Sequence, residues 1–125
     1  MITRIAMVSG AVFVLAGVLG LVAAGGLSMA ADPAPAMLLG LFPINLLHNV
    51  VHIAFGVWGL LAARTFATAR MYGQAGGVIY LGLSCLGVVA PTTFGLIAIG
   101  GNDIWLHGVL GAALAGVGFT AKAQP

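Results

Sequence analysis

Apolar residues run along this chain in four long stretches, and the breaks between them are short. The first stretch covers about residues 5–24, the second 44–63, the third 72–90 and the fourth 104–121. Each is long enough to cross a bilayer as a helix rising ~1.5 Å per residue. The breaks carry turn chemistry. Asp32, Pro33 and Pro35 interrupt the chain after the first stretch, where proline blocks helix continuation. Residues 37–42 are apolar again and are expected to lie at the membrane interface. Pro43 stands where a helix can start, because its missing N–H is harmless there. Residues 64–70 form an inner loop between the second and third stretches. Pro91 ends or kinks the third, with residues 92–99 as a helical extension. Gly100, Gly101, Asn102 and Asp103 signal a turn. Asn102 or Asp103 is then the expected cap of the fourth helix, and Trp105 suits the interface. The pattern predicts an all-α, single-domain bundle of four transmembrane helices over residues 1–125.

Charge gives that bundle a direction. Charged residues make up 5% of the 125 residues, against about 25% in a soluble domain, so lipid must be the main solvent. Arg4, Arg64, Arg70 and Lys122 fall on one side of the predicted spans, and Asp32 and Asp103 on the other. Basic residues stay in the cytoplasm during insertion, which puts both termini inside. The expected location is a bacterial inner membrane, cytoplasmic or intracytoplasmic. Four bases are too few for a nucleic-acid patch, so no nucleic-acid partner is expected. The first apolar run is longer than an ordinary signal core and reads as an uncleaved helix. Cys85 is the only cysteine, so a disulfide within the chain is impossible; mid-helix, it reads as a small core residue.

The chain also repeats. Advancing 67 residues carries Gly10, Phe13, Leu19, Gly20, Val22 and Ala23 onto Gly77, Tyr80, Leu86, Gly87, Val89 and Ala90. Advancing 59 carries Leu47, His48, Val50, Ala54, Gly59 and Ala62 onto Leu106, His107, Val109, Ala113, Gly118 and Ala121. This predicts two tandem helical hairpins of the same orientation, related by a twofold axis along the membrane normal. The steps Gly20 to Ala24 and Gly73 to Gly77 are small-xxx-small contacts, where helices approach closely in lipid.

Polar side chains concentrate near the outer ends. Asn45, His48, Asn49 and His52 share one helix face by their spacing of three and four. Asp103 and His107 are one turn apart on the fourth helix, above a small-residue face of Gly108, Gly111, Ala112 and Ala115. Such groups face protein, a cavity or a ligand rather than lipid. Three readings stand open. The cluster can be a polar interhelical network. It can bind a cofactor: His48, His52 and His107 can ligate haem b or a chlorophyll-type pigment, with Gly56, Gly108 and Gly111 making room for the ring. The same histidines with Asp103 can instead hold a transition metal, with Asn45 and Asn49 as supporting groups. The third reading is proton or solute handling, as in a small channel or transporter. No Glu lies between His48 and His52 to support metal-assisted hydrolysis, and no covalent haem motif exists.

Asn45-Leu46-Leu47-His48, His52, Gly56, Gly59, Ala62-Ala63-Arg64, Ala69-Arg70 and Asp103-Ile104-Trp105-Leu106-His107 resemble an uncharacterised bacterial family. It comprises small four-helix integral membrane proteins that carry a domain of unknown function. The resemblance supports the fold and points to the same polar residues; it brings no activity. With short loops and no soluble domain, the expectation is a non-catalytic accessory subunit of a larger membrane assembly, contacting lipid and other membrane subunits. An electron-transfer or photosynthetic membrane would give a bound cofactor a use.

Overall fold

The computed structural model describes residues 1–22, 25–31 and 35–123. Asp32, Pro33, Ala23 and Ala24, which enter the expectations for the first loop, the repeat and the Gly20 contact step, lie outside the described residues. Helix α1 spans Ile2–Val22, α2 Leu46–Ala62, α3 Phe66–Val89 and α4 Asn102–Thr120. Between α1 and α2 lies a small antiparallel ribbon, β1 (Ala36–Leu38) and β2 (Phe42–Ile44), with Met37 paired to Pro43. Thus the fold is helical, as expected, with one ribbon where residues 37–42 read as an interfacial stretch.

Local chemistry moves several boundaries. Pro43 sits in β2, and the N-cap of α2 is Asn45, whose side chain accepts from His48 N–H at 2.9 Å. Helix α3 begins at Phe66 rather than residue 72, because Thr65 caps it by accepting from Thr68 N–H. Most of the expected inner loop is therefore helix, Arg70 included. Pro91 ends α3: it pushes Ala90 out of the helical region, to φ −145° and ψ 72°. Residues 92–99 do not extend the helix; they hold a short 3-10 turn at Thr93–Gly95 and then extended backbone. Neither Asn102 nor Asp103 caps α4. Gly101 does, at φ 61°, without a side-chain bond.

Helices α1, α3 and α4 are long and apolar enough to cross a membrane; α2 is apolar but has 17 residues. Large apolar side chains cover the outside of the bundle, among them Val8, Val12, Leu15, Val78, Val88 and Phe119. Cys85, expected in the core, is exposed on α3.

Glycines decide which helices touch closely. A Cβ on Gly10 would lie 2.7 Å from Gly56 O and Leu60 N, and one on Gly17 2.7 Å from Asn49 O. Helices α1 and α2 therefore run antiparallel with their backbones in contact. In the second hairpin Gly73 lies against Gly118, Gly77 against Ala115, and Gly111 against Leu81. These contacts obey the sequence repeat. Gly10 facing Gly56 becomes Gly77 facing Ala115, and Gly17 facing Asn49 becomes Ser84 facing Gly108. Burial repeats as well: Ile2, Ala6, Gly10, Phe13 and Gly20 map onto Ala69, Gly73, Gly77, Tyr80 and Gly87, all buried.

The hairpins meet differently. Phe13 from α1 and Tyr80 from α3 face each other across the centre at 5.1 Å between ring centroids. Phe55 of α2 packs on both, at 5.4 and 5.0 Å, and Trp58 lies edge-on to Tyr72 at 4.9 Å. Aromatic rings prefer such edge-on and tilted arrangements. This layer spaces the hairpins apart and forms the floor of the polar cluster.

Candidate metal site at the capped end

The end of the bundle opposite the termini is closed by asparagines. Besides capping α2, Asn45 donates to Met29 O at 3.2 Å and to Leu96 O at 2.8 Å. It thereby ties three segments that have no regular structure to share. Asn49 donates to Gly26 O at 3.1 Å, and Asn102 to Leu41 O at 3.1 Å. Asn45 and Asn49, fully buried, thus bond to backbone groups rather than to the imidazole rings. Their stripe is shared with His48 and His52, but their work is to satisfy carbonyls that would otherwise be buried unpaired.

The three histidines come together, two from α2 and one from α4. Ring centroids are 4.5 Å apart for His48 and His52, 6.1 Å for His48 and His107, and 6.5 Å for His52 and His107. One ring nitrogen from each lies within 4.8 Å of those from the other two. His48, His107 and Asp103 are each 3% exposed, and His52 is half-buried. Asp103 Oδ2 stands 3.8 Å from His48 Nδ1, too far for a hydrogen bond. Below, Phe13 stacks on His52 at 5.8 Å and Tyr80 lies edge-on to His107 at 5.0 Å. Phe13 and Tyr80 are noticeable in the sequence only as repeat mates; that they carry the histidines emerges once the hairpins dock.

Polar groups are left over. The Nδ1 atoms of His48, His52 and His107 and Asp103 Oδ2 are buried without a hydrogen-bond partner, as is Asn49 Oδ1. Each such group costs about 1–3 kcal/mol unless something answers it. The span serines, by contrast, are answered: Ser9 donates to Ile5 O within its own helix, and Ser84 of α3 to Ile104 O of α4. The contrast singles out the histidine cluster.

A metal ion fits these donors. Tetrahedral zinc binds imidazole nitrogen at ~2.0–2.1 Å, which sets ligand atoms ~3.4 Å apart. His48, His52 and His107 would supply the nitrogen ligands, and Asp103, 3.8 Å from His48 Nδ1, would complete the set or orient His48. A porphyrin or chlorophyll-type ring does not fit. The glycines expected to make room for it are covered by neighbouring helices: Gly56 by Gly10 and Val14, Gly108 by Ser84, and Gly111 by Leu81. His52, Phe13 and Tyr80 fill the space around His48 and His107.

No curated protein matches the chain, and no solved structure matches it. One family does, and its match runs through both hairpins and every residue of the cluster. Its description is a domain of unknown function, DUF4383, matched over residues 3–120. The chain belongs to the DUF4383 family.

Proposed function

We propose that this is a non-catalytic, four-span membrane protein that holds one divalent transition-metal ion between its two hairpins. The observation that carries the reading is the set of buried, partnerless polar atoms on His48, His52, His107 and Asp103, beside three ring nitrogens within 4.8 Å of one another. A self-contained polar network would have paired those atoms. Three neutral imidazoles and a carboxylate suit zinc or copper. Because His48 and His52 come from α2 and His107 and Asp103 from α4, the ion cross-links one hairpin to the other. Its binding adds to stability as the logarithm of its concentration over Kd, by about 2.7 kcal/mol at a hundredfold excess.

The membrane part of the reading rests on the apolar helices and on where the charges fall. Helix α2, although short, is antiparallel to α1 along its length and completes the hairpin. Arg4, Arg64, Arg70 and Lys122 then gather at one end, which we assign to the cytoplasm with both termini.

The test is metal analysis of protein purified in detergent without chelator, then titration of the stripped protein with zinc and with copper. One ion per chain is expected, with a raised unfolding temperature. His107→Ala should abolish both effects without loss of helix content. A protein that binds neither ion, and whose unfolding temperature neither ion moves, would refute the reading and leave ordered water as the cluster's partner.

A further inference from the structure

The hairpins meet along α1 and α3, and on either side of that contact lie two flanks, one between α2 and α3 and one between α1 and α4. The repeat makes them equivalents. In the first, Trp58, Tyr72 and Phe55 fill the space. Their counterparts in the second are Val117, Ile5 and Leu114. The smaller side chains leave a groove of about 820 Å³ toward the end of the bundle that carries the termini. Its wall includes Ile5, Val8, Val12, Leu110 and Val117, and exposed Arg4 also lines it. The repeat counterpart of Arg4 is Met71, on the flank that is filled. Arg4 is exposed, and among the described residues the carboxylate of Asp103 is at the opposite end of the bundle.

We propose that this groove binds one anionic phospholipid, with an acyl chain lying between α1 and α4 and the phosphate at Arg4. The volume is that of a ligand site, and the apolar wall suits a hydrocarbon chain. Arginine is the side chain best shaped to hold phosphate, through two parallel N–H donors. Its stem can lie along apolar surface while the charge reaches the headgroup level. The proposal rests on the membrane reading of the chain and is independent of the metal.

Native mass spectrometry of the delipidated protein tests it. The probes are phosphatidylglycerol and phosphatidylcholine with the same acyl chains, with inorganic phosphate as competitor. Wild type should retain phosphatidylglycerol at least tenfold more tightly than phosphatidylcholine, and phosphate should not displace it. Arg4→Gln should erase that preference. Val117→Trp, which copies Trp58 into the open flank, should weaken both lipids at least tenfold while helix content and metal content stay unchanged. If that variant does not fold, Ala113→Leu fills the same groove from another position. Equal retention of the two lipids by wild type would overturn the proposal. So would unchanged retention in the filled variants, displacement by free phosphate, or a wild-type dimer that excludes lipid.

Discussion

Within each hairpin the helices touch backbone to backbone; between the hairpins they touch through rings. Gly10, Gly17 and Gly56 let α1 and α2 approach until a single methyl would collide with main-chain atoms. Phe13, Tyr80, Phe55 and Trp58 hold the two hairpins farther apart. In lipid, helix association draws on packing rather than on burial from water, and these are two ways to maximise it. The first leaves no room for chemistry. The second leaves side-chain-sized space, and the polar cluster occupies its capped end. The histidines therefore sit between the hairpins rather than in a glycine seam.

Substitutions can separate the two kinds of seam. The largest effect should come from the ring seam: Phe55→Ala removes the residue that touches Phe13, Tyr72 and Tyr80. The expected loss is about 3–5 kcal/mol, read by unfolding in mixed micelles. A loss below 1 kcal/mol would mean that the rings are spacers only. Next comes a glycine seam. Gly77→Ala places a methyl on the Ala115 backbone, which cannot rotate away. About 1–3 kcal/mol should be lost in the same assay, and an unchanged midpoint would show that the seam is looser than described.

The third variant acts on the site rather than on packing. Asp103→Asn keeps the shape and removes the charge 3.8 Å from His48 Nδ1. Metal affinity should fall about 10–100-fold by competition titration, with helix content intact. Unaltered affinity would remove Asp103 from the site. The smallest effect is a gain. Gly82 on α3 has open space around its Cβ position. Gly82→Ala should stabilise by about 0.5–1 kcal/mol, the ordinary helix benefit of losing a glycine. If Gly82→Ala cost as much as Gly77→Ala, the seams would not account for the glycines.

The site was only partly legible. His48 and His52 share a face by spacing, and the repeat pairs His48 with His107, so their meeting follows from sequence arithmetic. His52 breaks the repeat, since its counterpart is Gly111; one histidine without a mate turns a symmetric pair into a threefold donor set. Asn45 and Asn49 read as members of the same stripe. Their true partners, Met29 O, Leu96 O and Gly26 O, lie 16, 51 and 23 residues away in loops. No periodicity encodes a hydrogen bond to an irregular carbonyl. The glycines that could have made room for a flat ring, Gly56, Gly108 and Gly111, lie against neighbouring helices. A glycine in a span signals close approach of something, and only the packing says that it is another helix.

By itself the sequence determined the apolar helices, the tandem repeat and the end of the bundle where the polar side chains gather. Each is local or periodic: hydrophobic length, charge placement and residue spacing act along the chain. Tertiary structure decided the rest. It set where α3 begins and ends, which glycines are contacts, that the asparagines tie loops, that three histidines and one aspartate are left with unanswered polar atoms, and that one of two equivalent flanks stays open. Those outcomes depend on which surfaces meet and at what distance, and in lipid that is a competition between backbone contact and ring packing, resolved only when both hairpins are in place.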